Sequence, residues 1–172
     1  MAFEGEQVSQ DIIDRCLAYL APMAEKENVR KCWCINNSDY GDPCESFCRD
    51  CLDKRVSEII KEHGIQEGDA NEELDILWIS CGESDHPEAC EDCGALLEYN
   101  LTDYGVEEEI GHFLYHGPDL TSSRECAELE VALEGMRGMD ENHKFYKKGM
   151  KLCKIILDQV EQIEKVKKIF EV

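Results

Sequence analysis

Residues 31–51 read KCWCINNSDYGDPCESFCRDC, and residues 81–94 read CGESDHPEACEDCG. Together they carry eight of the chain's eleven cysteines: Cys32, Cys34, Cys44, Cys48 and Cys51, then Cys81, Cys90 and Cys93. An odd total of eleven cannot pair completely into disulfides, and thiols clustered at such short spacing in a reducing compartment are metal ligands or redox groups more often than disulfides. In the first stretch Cys32-Trp33-Cys34 precedes Cys48-Arg49-Asp50-Cys51, with thirteen residues between the pairs. Two short-spaced pairs joined by a loop suit tetrahedral zinc, because each pair supplies one edge of the tetrahedron. The intervening residues are rich in turn formers, including Asn36, Asn37, Asp39, Gly41 and Pro43, so a loop is expected over Lys31 to Pro43.

A helix is expected from near Glu45 to about His63, stopped by Gly64, with Phe47, Leu52, Val56, Ile59 and Ile60 on its apolar face. Cys48 and Cys51 then fall at its amino-terminal end, where unsatisfied N–H groups and the helix dipole stabilise thiolates. This arrangement over residues 32–63 resembles a treble-clef zinc finger, with one residue rather than two inside the first pair. The resemblance implies that Cys32, Cys34, Cys48 and Cys51 share one zinc. Cys44 is left to replace a ligand, to complete a second site, or to stay a free thiol.

In the second stretch Cys81, His86, Cys90 and Cys93 are separated by four, three and two residues. Reversed, this approximates the spacing of a retroviral-type zinc knuckle, and it places a second zinc on three cysteines and His86. His112, His116, Cys126 and Cys44 compete with His86 for the fourth position. The order His86-Pro87-Glu88 and Cys90-x-x-Cys93 superficially resembles the zinc deaminases. In those enzymes the two halves open different helices with a strand between, whereas only Ala89 separates them here. A Cys81, Cys90, Cys93 site with an open position beside Glu83 or Glu88 is the enzymatic alternative, a hydrolase or transferase. Multiple thiolates weaken zinc as a Lewis acid, so a noncatalytic role is the leading expectation. A redox role for Cys90 and Cys93 is disfavoured by the neighbouring Glu88, Glu91 and Asp92.

The rest of the chain reads as helical. Ser9 to Asn28 has an apolar stripe through Ile13, Cys16, Leu17 and Leu20, with Pro22 expected to end or kink it. Leu74 to Ser80 and the segment ALLEYNLT, residues 95–102, are strand candidates flanking the second metal loop. Short helices are expected over Glu107 to His116 and from a capping box at Ser122 and Glu125 to about Met136. The longest helix, Glu141 to Phe170, carries an apolar stripe opposite Lys144, Lys147, Lys148, Lys151 and Lys154. Cys16, Cys126 and Cys153 lie on or beside these stripes as core residues. The fold class is therefore α+β, mainly helical, with a small two-stranded zinc-bound unit and a long C-terminal amphipathic helix. The cysteine groups divide it into 1–63 and 74–172, sharing one core.

Residues 1–139 hold 10 basic and 33 acidic side chains, net −23, whereas residues 140–172 hold 8 and 6, net +2. The main body would repel phosphates, since nucleic-acid affinity rests largely on neutralising them with Lys and Arg. The expected partner is a basic protein surface, including one that normally holds nucleic acid, and the expected role is adaptor, regulator or nucleic-acid-mimicking inhibitor. Acid serving solubility alone is the competing reading. Direct nucleic-acid binding is left only to the lysine face of the last helix. No apolar run approaches bilayer length and the opening MAFEGEQ lacks a signal-peptide profile, so a cytoplasmic protein is expected.

Overall fold

The computed structural model describes residues 3–24, 29–40, 45–79, 83–137 and 139–170. The elements run α1 (Phe3–Ala24), β1 (Cys32–Ile35), α2 (Arg49–His63), α3 (Ala70–Glu73), β2 (Ile76–Ile79), β3 (Glu83–Ser84), β4 (Asn100–Leu101), α4 (Asp103–His116), α5 (Ser123–Arg137) and α6 (Lys144–Phe170). The chain is mainly helical with a long C-terminal helix, a small antiparallel sheet of β1 and β2, and a second pair of two-residue strands, β3 and β4. It forms two compact units, one of residues 1–27 with 101–172 and the other of residues 28–100. The 1–63 and 74–172 division follows the cysteine groups instead. None of the described helices is long and apolar enough to cross a membrane.

The first unit packs α1, α4, α5 and α6 around one core. Ile13, Cys16, Leu17 and Leu20 of α1 are buried at spacings of three, one and three residues, the stripe of a helix with one covered face. Pro22 does not end α1: it lies inside the helix, which is described two residues further, to Ala24.

α4 begins earlier than Glu107 because the Thr102 hydroxyl accepts the Gly105 N–H at 3.0 Å and caps the helix. Read as the end of a strand, Thr102 hides that cap. α5 opens as expected, with Ser122 Oγ accepting the Glu125 N–H at 3.2 Å. The Glu125 carboxylate completes a different contact, accepting the Asp119 N–H at 2.8 Å. Cys16, Cys126 and Cys153 are all fully buried in this core, as hydrophobe-like thiols. The five lysines from Lys144 to Lys154 are exposed on the other side of α6.

Two helices approach through a glycine. A Cβ built on Gly149 of α6 would collide with Met136 Sδ and lie 3.2 Å from Ile110 Cδ1. Met136 is fully buried and has little room to retreat. Gly149→Ala is therefore expected to cost about 1–3 kcal/mol despite alanine's better helix propensity. Urea unfolding checks this, and a neutral or stabilising result would show that the helices do not meet there.

In the second unit a strand forms inside the stretch read as a loop. β1 pairs with β2 in the register Cys32 with Ile79, Trp33 with Trp78, Cys34 with Leu77 and Ile35 with Ile76. Only four residues long, β1 lacks the β-branched run by which strands are usually recognised. Ahead of it Arg30 bridges Leu97, and on its outer side Phe47 bridges Trp33. Ile35, Phe47, Leu52, Ile59, Leu74 and Leu97 are buried with Cys32, Cys48, Cys51 and Cys90 in one core. α2 stops where expected: Gly64 has φ +69°, and its N–H donates to Ile60 O.

Candidate metal centre

Each C-x-x-C pair in this unit is shaped by its own backbone. Cys48 is the residue before α2, with extended φ −73° and ψ 159°, and its carbonyl accepts the Leu52 N–H at 2.9 Å. Cys51 sits in the first turn. A cap residue and the residue three positions on face the same side, which is the geometry of a capping box. Cys90 and Cys93 lie on a tight turn closed by two hydrogen bonds, Gly94 N–H to Cys90 O at 2.8 Å and Cys90 N–H to Ala95 O at 2.9 Å. Gly94 takes φ +68°, a conformation glycine adopts without steric cost. The Glu91 N–H donates to Ser46 O at 3.0 Å, tying this turn to the residues just before Cys48.

The two pairs meet. The sulfurs of Cys48, Cys51, Cys90 and Cys93 all lie within 4.8 Å of one another, and Cys48 Sγ is 3.8 Å from Cys93 Sγ. A tetrahedron of sulfurs about 2.3 Å from a central ion has edges of about 3.8 Å. The cluster is thus already the size of a tetrahedral thiolate site. Three of its members are buried and Cys93 is exposed.

The surroundings favour ionised sulfur at Cys48. Burial alone would push its thiol up, but the Cys51 N–H, the Arg30 guanidinium and the Cys51 and Cys93 thiols outweigh it and hold Cys48 down at about 7. Arg30 Nη1 donates to Cys48 Sγ at 3.4 Å and pairs with Asp50 at 3.2 Å. Burial, followed by its thiol neighbours, pushes Cys51 up. A divalent ion bound among the four sulfurs would displace their protons.

The structure pairs the cysteines differently from the treble-clef arrangement. Cys48 and Cys51 join Cys90 and Cys93, not Cys32 and Cys34. Alternate residues of a strand point to one face about 6.6 Å apart, so Cys32 and Cys34 on β1 are too widely spaced along the backbone to grip as a C-x-x-C turn does. Both are buried. Burial raises the Cys32 thiol, against a hydrogen bond with Ser46 and with help from Glu88; burial and then Asp75 raise that of Cys34.

His86 is exposed, with its backbone N–H donating to Ser84 Oγ at 3.3 Å, and stands outside the cluster. Cys81 and Cys44 lie outside the described residues. His112 and His116 are exposed neighbours on α4 with ring centroids 4.7 Å apart, and Cys126 is buried among helices. Among the described residues only the four-cysteine group is gathered as a metal site. The equal spacing of Cys48-x-x-Cys51 and Cys90-x-x-Cys93 is the signal that matches these pairs. Arg30 carried no sequence signal.

No protein-family model, no curated protein and no solved structure matches this chain.

Proposed function

We propose that Cys48, Cys51, Cys90 and Cys93 hold a zinc ion as a permanent clamp on residues 28–100, and that the protein is a noncatalytic binding protein with an acidic surface for basic macromolecular partners. The observation that supports the noncatalytic reading is the donor set. Four protein sulfurs fill a tetrahedral shell, whereas catalytic zinc keeps a position for water or substrate. The second zinc expected around Cys81 and His86 is counted by metal content, with one equivalent per chain for the four-cysteine site alone and two if a second site is filled.

Charge supports the choice of partner. Residues 28–100 hold 18 acidic and 6 basic side chains, net −12, and four thiolates on a divalent ion add further negative charge. Such a surface steers basic partners and repels nucleic acid. Proteins retained from cell extract by the immobilised, metal-loaded chain are expected to be basic and to elute as salt is raised, because exposed charges are screened at high ionic strength. Neutral or acidic partners that stay bound at high salt would refute the reading.

A further inference from the structure

Among the described residues, β2 is an open edge of the β1–β2 sheet. Trp33 gives its N–H to Phe47 O at 2.9 Å and takes the Phe47 N–H at 2.8 Å, so its backbone polar groups face away from β2. In an antiparallel ladder these groups alternate sides residue by residue. Cys32 and Cys34 therefore turn theirs toward Ile79 and Leu77, and the Asn36 N–H reaching Asp75 O at 3.1 Å continues the alternation. On β2, Leu77 and Ile79 face β1, which leaves Ile76 and Trp78 directing their N–H and C=O groups outward. Among the described residues no strand or backbone hydrogen bond meets these outward groups.

The edge is also apolar and accessible. Leu77 is 43% and Trp78 50% exposed. Edge strands are ordinarily blunted by proline, a bulge or an inward charge, and Ile76-Leu77-Trp78-Ile79 has none of these. Its approach is acidic: Glu72, Glu73 and Asp75, all exposed, lead into the strand. Trp78 already receives a cation, with Lys31 Nζ 5.0 Å from its ring centroid.

We propose that β2 is a docking edge on which a partner adds an extended, lysine- or arginine-bearing strand. Its main chain pairs with Ile76 and Trp78, and its cationic side chains meet Glu72 and the Trp78 ring, since Asp75 Oδ2 already accepts from Asn36 Nδ2 at 2.6 Å and Glu73 Oε1 from the Tyr40 hydroxyl at 2.8 Å. Strand addition supplies affinity through the backbone and selectivity through alternate side chains. Charge selects the occupant: a second copy would set one net −12 unit against another, and an acidic segment would meet the same field. The basic character of the occupant rests on the proposed function above, while strand addition rests on the backbone geometry.

The test uses the full, metal-loaded chain and a short peptide alternating lysine and valine. Its comparison peptides are a glutamate–valine counterpart and two N-methylated forms, each blocking every second amide. The lysine–valine peptide is expected to bind and to slow hydrogen exchange at the Ile76 and Trp78 amides at least tenfold. One methylated form should lose binding and the other keep it, and Trp78→Ala should weaken binding about two- to fivefold. Binding that tolerates both methylated forms, or leaves those amides unprotected, would overturn strand addition without touching the basic-partner reading. Equal binding of the glutamate–valine peptide would overturn the basic occupant alone. If neither peptide binds, the docking edge itself is refuted.

Discussion

Replacing any one of Cys48, Cys51, Cys90 or Cys93 by serine is expected to release the metal and unfold residues 28–100. A structural zinc site contributes about 10–16 kcal/mol of apparent binding free energy at neutral pH, which equals or exceeds the whole stability of a typical domain, about 5–15 kcal/mol. This unit has little to fall back on. Below about 70–80 residues a single core seldom suffices without a disulfide or metal, and several buried members of this core are themselves cysteines. Its apolar side chains, Ile35, Phe47, Leu52, Ile59, Leu74 and Leu97, also come from short segments scattered along the chain, so their closure entropy must be met before they pack.

Metal content and amide exchange at Leu52, Ile59 and Leu97 measure the effect. Cys93, the exposed member of the cluster, is expected to give the mildest loss, because water reaches its position most easily. Cys126→Ala in α5 is expected to leave the metal in place. A Cys48→Ser or Cys90→Ser protein that retained its metal and its protection would sink the assignment.

Leu133→Ala is expected to destabilise the helical unit by about 2–5 kcal/mol, the range for truncating a fully buried leucine. Leu133 has no exposed surface, and Leu129 and Met136, four positions before it and three after, are equally buried. α5 is covered on more than one side, since Ala127 and Ala132 are buried too, and it packs against α1, α4 and α6. A helix held on several flanks has small freedom to move into the space left by the missing side chain, so the cavity term adds to the lost transfer energy. Thermal or urea unfolding gives the number. A loss below about 1 kcal/mol would mean that the core collapses around the site or that the side chain is more exposed than its neighbours indicate.

The helices were legible because their stripes are long. Ile13 to Leu20 and Cys126 to Met136 repeat at helical spacing, and Gly64 and Ser122 mark an end and a start by mechanisms that act within one turn. β1 was not legible, since four residues lying among turn formers find their ladder partners more than forty positions away in sequence. The expected strand over residues 95–102 was drawn too long for a related reason. Leu96 and Leu97 make isolated bridges, not a ladder with β2, and Thr102 serves α4. All four cysteines of the cluster were found from spacing, but their grouping was not. Proximity in sequence places Cys32 and Cys34 with Cys48 and Cys51, whereas the fold gathers Cys90 and Cys93 there instead.

The central claim is a closed, four-sulfur zinc clamp. X-ray absorption at the zinc edge of the protein as purified tests it most directly. The account predicts four sulfur neighbours at about 2.3 Å and no lighter ligand. A shell containing nitrogen or oxygen beside two or three sulfurs would contradict it.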